Sequence, residues 1–278
     1  MTQNNTIFGR LYKKLEKTKL GIGLRRIFIG DIEYQLFRIN QYNISTAILH
    51  QKTFGPFKNL YAGKDVAIIA CGPSLNDYQD IPGVIKIGVN RAIRKPNINL
   101  DYLFLNDGGS TFSREEMDEF NNYNVGKCQK FYGLFPRQDH LADLIISESD
   151  AIKANALRYH MDMLPNIFGW QSEFTLDIGT QTLGGLGTVV MSALQFAMWT
   201  NPRRLFLVGC DCSSGGAHFY KDTKPQFLDT APLIERYKEF KRFAHIYYPD
   251  TEIISVNPVG LKGLFKDWNQ KDGEPMPE

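Results

Sequence analysis

Val66-Ala-Ile-Ile-Ala-Cys-Gly-Pro-Ser-Leu75 is an apolar run that stops abruptly at Gly72, Pro73 and Ser74. Apolar residues without alternation predict a strand buried on both faces, as in a parallel α/β sheet. Gly72, lacking Cβ, lets the chain turn and a ligand approach the backbone. Pro73 suits the first turn of a following helix, and the Ser74 hydroxyl can bond a ligand or the helix start. Strand, tight turn and helix N-terminus make a phosphate cradle. An ordinary strand-to-helix turn of a doubly wound fold has the same pattern.

Further runs of this kind follow. Val84-Ile-Lys-Ile-Gly-Val89 predicts a second strand ending at Asn90-Arg91, and Leu100-Asp-Tyr-Leu-Phe-Leu105 a third ending at Asn106-Asp107-Gly108-Gly109. In an open parallel sheet the carboxyl ends of the strands line the ligand crevice, so Ser74, Asn90, Asn106 and Asp107 are expected to converge there. Ser113, three residues before Glu116, marks a helix start, and Lys127 to Phe135 is a candidate fourth strand. Residues 136–180, with His140, His160 and Trp170 in weak periodicity, are expected to form a substrate-covering subdomain.

Gly184 to Trp199 is a glycine-rich approach to a buried helix. With Gly187 and Thr188 at its start, the N-terminal amides could hold an anion, or the glycines could serve close packing on the sheet. Pro202 to Gly209 predicts another buried strand, running into Cys210-Asp211-Cys212-Ser213-Ser214-Gly215-Gly216-Ala217-His218-Phe219-Tyr220, which should open into the same crevice. A helix around Ala231 to His245 and a strand from Glu252 to Val256 close the sheet, followed by Asn257-Pro258.

The whole chain, 278 residues with a net charge of +2, suits one large α/β domain or two small ones. Its four cysteines form no C-x-x-C pair, which points to reduced thiols and a cytoplasmic setting. Asn4-Asn5-Thr6 and Asn43-Ile44-Ser45 match glycosylation acceptors, but no apolar signal segment precedes them, and no apolar run is long enough to span a membrane. Residues 1–30 carry seven basic residues against Glu16 alone. Within them Ile7, Leu11 and Leu15 recur at helical spacing, with Arg10, Lys13, Lys14 and Lys17 largely opposite. Such a helix, over residues 7–28, can lie on the inner face of an anionic membrane, or dock on the domain or on a second copy in a homo-oligomer.

The expected architecture is therefore a Rossmann-like α/β fold, its mostly parallel sheet flanked by helices on both faces. Residues 1–60 form a basic extension and residues 61–278 the nucleotide-binding domain, with an inserted lid at about 108–183. The first turn lacks G-x-G-x-x-G, the second strand ends in Asn90 rather than an acidic ribose binder, and no Walker lysine motif is present. What remains is a crevice rich in Ser, Asn and Gly.

The order of Gly72-Pro73-Ser74-Leu75, Val89-Asn90, Asn106-Asp107, Gly185 to Thr188, Val208-Gly209-Cys210-Asp211 and Asn257-Pro258 resembles two related bacterial groups. One is the CMP-sialic-acid-dependent sialyltransferases of lipooligosaccharide synthesis. The other is the motility-accessory-factor glycosyltransferases, with their hydroxymethylpterin-pyrophosphokinase-like relatives. The resemblance covers roughly residues 64–260. It implies an inverting glycosyltransferase that moves a CMP-activated sialic-acid-like or other ulosonic sugar to a cell-surface glycan or lipid-linked acceptor. By the same likeness no metal or cofactor is needed, and no nucleic-acid partner is expected.

The resemblance also implies roles. Gly72, Pro73 and Ser74 would lie near the donor phosphate, Asn90, Asn106 and Asp107 on the nucleotide or donor, and Gly187 and Thr188 against the donor. Tyr220 would stabilise the departing phosphate in place of a cation. His218, in the loop after a crevice-forming strand, is the first choice for the base, ahead of His140, His160 and His245. Asp211 could orient that base, bond a sugar hydroxyl or cap the following turn. Two rivals remain: a Mg²⁺-dependent diphosphotransferase acting on a pterin alcohol, and a non-catalytic nucleotide-sugar-binding protein.

Overall fold

Short aliphatic runs punctuated by Gly, Asn and Pro build a sheet whose strands pair only in parallel. The computed structural model describes residues 39–106, 112–134, 146–161, 173–184, 188–213, 218–220 and 230–277. Among them the strands are β1 (Asp65–Ile69), β2 (Ile85–Val89), β3 (Tyr102–Leu105), β4 (Gln129–Leu134), β5 (Ala156–His160), β6 (Arg204–Val208), β7 (Glu252–Val256) and β8 (Lys266–Trp268). Their order across the sheet is β5-β4-β3-β2-β1-β6-β7-β8. The expected Rossmann-like α/β class is what the chain adopts, and the sequence reading left out β5 and β8.

The chain divides into two units, Met1–Ser45 and Thr46–Glu278. In the first, residues 39–45 are helical, and the expected basic helix over residues 7–28 lies outside the described residues. The second holds the whole sheet, and it includes helical residues 46–53, here α1. Residues 46–60, expected as part of the extension, contribute the fully buried His50 and Phe54 to this unit.

Strand periodicity sorts the core into two layers. Val66, Ile68, Ile87, Val89, Phe104, Phe131, Tyr159, Leu205 and Leu207 face one side, covered by α4 (Val189–Trp199) and α5 (Ala231–Tyr247). Ala67, Ile69, Leu103, Leu105, Tyr132, Phe206 and Val208 face the other, covered in part by α2 (Arg114–Asn122) and α3 (Glu148–Lys153). Burial on both faces is why these strands lack alternation. α2 begins as expected: Ser113 accepts from the Glu116 N–H, and the Glu116 carboxylate accepts from the Ser113 N–H.

The stretch expected as a lid is in part sheet. α3 and β5 lie within it, and β5 pairs with β4 from Lys130↔Ala156 to Leu134↔His160. Among the described residues no helix is long and apolar enough to cross a membrane.

Candidate functional site

Strand order reverses between β1 and β6, which neighbour each other although four strands intervene in sequence. In open α/β sheets such a switch point, at the carboxyl ends of the strands, is where ligands bind. β1 runs out through Cys71-Gly72 into a 3-10 turn, Pro73–Asp77, and β6 through Gly209 into Cys210-Asp211. The two exits are bolted together. Gly72 N–H donates to the Gly209 carbonyl at 2.8 Å, Ser74 N–H donates to Asp211 Oδ2 at 2.8 Å, and the Ser74 hydroxyl donates to Asp211 Oδ1.

This bolt accounts for three sequence-selected residues. A Cβ on Gly72 would lie 2.5 Å from the Gly209 carbonyl and 2.6 Å from the Asp211 carboxylate, so the glycine admits the β6 exit. Ser74 and Asp211 satisfy each other, and both are buried. Burial raises the Asp211 pKa, and the two Ser74 donors hold it back. On the far side, Gly260 N–H donates to the Asp211 carbonyl at 2.7 Å.

Asn90 closes β2 with φ at +47°, a left-handed conformation that asparagine tolerates. Its side-chain oxygen is buried and has no hydrogen-bond partner among the described residues. Buried acceptors are nearly always paired, so this one marks a place where a ligand donor or a water belongs. Asn106, at the end of β3, turns into the core instead: its amide donates to Ser192 Oγ at 3.0 Å and its carbonyl accepts from the Tyr159 hydroxyl. Thr188 is the N-cap residue of α4, and its hydroxyl makes no capping hydrogen bond. Asp107, Gly187 and His140 lie outside the described residues.

His218 and Tyr220 do reach this edge. Phe219 N–H donates to the Cys71 carbonyl at 2.9 Å, and its own carbonyl accepts from Asn76 Nδ2 at 3.1 Å. The His218 and Tyr220 rings stack at 5.1 Å between centroids, 8° from parallel. Desolvation lowers the His218 pKa, opposed by a hydrogen bond with the Cys71 backbone and assisted by the nearby Arg91 charge. Burial raises the Tyr220 pKa, while the nearby Arg91 and Arg94 charges moderate the rise. A neutral imidazole beside a protonated phenol follows near neutral pH. The first can accept a proton; the second can donate a hydrogen bond to an anion.

His160 sits elsewhere. Its backbone N–H donates to His50 Nε2 at 2.7 Å and its Nδ1 bonds Thr46 Oγ1 at 2.8 Å. Arg91 and Arg94 are what the sequence reading missed. Arg91 donates to both Glu116 oxygens at 2.6 and 2.9 Å, and Arg94 to Glu119 and Glu116 at 2.7 and 3.2 Å. Their signal was present as Arg91-x-x-Arg94 and Glu116-x-x-Glu119, two matched i,i+3 pairs of opposite sign. Among the described residues no group of three or more His, Cys, Asp or Glu is disposed to hold a metal ion.

Topology and edge together define a doubly wound, Rossmann-like α/β protein whose carboxyl edge carries a histidine, a tyrosine and a buried asparagine oxygen without a partner among the described residues. Among solved structures, the chain is similar to the MAf glycosyltransferase from Magnetospirillum magneticum AMB-1, with 14% identity and a TM-score of 0.48 over 83% of this chain. It spans 39% of the length of that protein. It is also similar to the sialyltransferase CstII from Campylobacter jejuni, solved in complex with the substrate analogue CMP-3FNeuAc. That match has 10% identity and a TM-score of 0.41, over 77% of this chain and 89% of the other. No protein-family model matches the sequence, and neither does any curated protein.

Proposed function

We propose that the protein is an inverting glycosyltransferase that takes a CMP-activated sialic-acid-like or other ulosonic sugar and passes it to a cell-surface glycan acceptor. The observation that carries the reading is the docking of residues 218–220 on the exit of β1, with Tyr220 beside Arg91 of the turn after β2, which presents an imidazole and a phenol together. In this mechanism His218 takes the proton of the acceptor hydroxyl, and that oxygen forms a bond to the anomeric carbon. The bond from anomeric carbon to phosphate oxygen breaks, and CMP leaves with the electron pair. Tyr220, its phenol kept protonated by burial, donates its O–H to the leaving phosphate. Asn90 Oδ1 is the acceptor awaiting a donor from the nucleotide.

A thermal-shift panel with CMP, CDP, UDP, ATP and NAD, each with Mg²⁺ and with chelator, tests the donor class, because a ligand that binds the native state raises the melting point. Selective stabilisation by CMP, unchanged by chelator, is the expected outcome. Transfer from a CMP-sugar should then fall by about 10²–10⁴-fold in His218→Ala. Stabilisation by ATP only with Mg²⁺ sinks the reading in favour of diphosphotransfer. The basic residues 7–28 would bring the enzyme to a lipid-linked acceptor, and liposome flotation with anionic vesicles reads that contact directly.

A further inference from the structure

The carboxyl edge carries an ion lattice. Arg91 and Arg94 occupy the 3-10 turn Asn90–Arg94 after β2, and Glu116 and Glu119 stand one turn apart on α2. Arg91 and Glu116 form a bidentate pair with 18% and 19% of their side chains exposed, and Arg94 Nη2 lies 2.7 Å from Glu119 and 3.2 Å from Glu116. Two positive and two negative charges cancel. Each guanidinium is tied along its edge, which leaves its flat face for aromatic contact.

Those faces are in use. The Arg91 guanidinium carbon lies 4.8 Å from the Phe112 ring centre and 5.9 Å from that of Tyr220, and the Arg94 carbon lies 5.7 Å from Tyr220. Tyr220 in turn carries the stacked His218 ring. A side chain held only by its own loop would sample several rotamers, whereas one lying on a paired guanidinium has a fixed platform.

We propose that Arg91 and Arg94 are positioning residues: clamped by Glu116 and Glu119, they form a shelf that carries Tyr220 and, through its stacked ring, His218. The inference rests on the reading of His218 as base and Tyr220 as phosphate donor. Pairing is part of the device, because an unpaired guanidinium beside His218 would weaken it as a base. The groups facing the two rings are Arg91 and Arg94 from the turn after β2, Glu116 and Glu119 behind them on α2, and the Cys71 backbone and thiol from the end of β1.

The test uses the imidazole C–H resonances of His218, assigned by their loss in His218→Ala. A stacked phenol displaces them by its ring current, and Tyr220→Leu calibrates that displacement. The double variant Arg91→Gln, Arg94→Gln should bring the His218 resonances to their position in Tyr220→Leu; a wild-type displacement in that variant overturns the proposal. Charge gives a second, independent sign. His218 should titrate higher in Arg91→Gln and lower in Glu116→Gln, each by roughly half a pH unit. Shifts of the same sign, or none, overturn it, and if the arginine variants fail to fold, Glu116→Gln decides alone. No donor is involved, so an inactive wild-type protein would remove the glycosyltransferase reading without touching this result.

Discussion

Gly72 has a φ of −68°, which any residue adopts, so its missing side chain answers a close approach rather than a turn. Gly72→Ala would drive a methyl into the Gly209 carbonyl and the Asp211 carboxylate, pushing the exits of β1 and β6 apart. The expected loss is about 1–3 kcal/mol, read as a lower urea midpoint at unchanged slope. Asp211→Ala leaves the Ser74 N–H and hydroxyl without their acceptor, and it should cost a similar amount, about 1–3 kcal/mol. Because both changes open one bolt, the double variant should lose less than the sum; strict additivity would show that the two residues act separately. From sequence, Gly72 looked like room for a ligand. What fills that room lies 137 residues further on, a pairing that no local pattern around residue 72 can encode. Asn106 shows the same limit, since the strand end was legible but its partners Ser192 and Tyr159 were not.

Elements were legible where burial on both faces leaves a continuous apolar run, as in β1, β2, β3, β6 and β7, or where a cap announces a start, as at Ser113. β5 and β8 leave no such mark. Ala-Leu-Arg-Tyr-His is only half buried and Lys-Asp-Trp is three residues long, so each is a strand because a neighbour pairs with it. β5 is also an edge strand, and α1 protects it. Thr53 Oγ1 donates to the Arg158 carbonyl at 2.9 Å, and His50 Nε2 accepts the His160 N–H at 2.7 Å while its Nδ1 bonds the Ile178 carbonyl at 2.9 Å. A ring that donates at one nitrogen and accepts at the other must be neutral. Burial accordingly holds His50 at about 4, helped by the nearby His160, and burial and Arg158 hold His160 at about 4. The unfolded chain protonates these rings near pH 6.5. Below that pH the unfolded state therefore binds more protons, so this contribution is complete above about 6.5 and is lost as pH falls toward 4. Urea titrations at pH 7 and pH 5 should show the drop. His50→Gln, which keeps one donor and one acceptor, should remove about half of the histidine-linked pH dependence; an unchanged slope would mean that His50 is not neutral in the fold.

At the scale of the molecule, composition pointed to an extension and a Rossmann-like domain, because the basic excess ends near residue 30 and the first clear strand begins near 65. Charge, however, says nothing about where packing starts. Phe54 lies against Phe131 at 5.5 Å and 14°, and against Tyr159 and Phe196 at 5.6 and 6.0 Å. Its carbonyl accepts from Trp199 Nε1 at 2.8 Å, and Asn59 and Tyr61 bond the backbone at the end of α4. Removing the Phe54 side chain alone should cost about 3–5 kcal/mol, a large share of a domain stability of about 5–15 kcal/mol. Loss of α1 would also bare the outer edge of β5, whose carbonyl and N–H groups would then seek strands of other molecules. A chain begun at Thr46 should therefore melt cooperatively within a few degrees of the full protein, while one begun at Tyr61 should aggregate or melt without a sharp transition. Calorimetry and light scattering on the two shortened chains separate the cases. If the chain begun at Tyr61 melts like the full protein, α1 is an ornament on the sheet rather than part of its core.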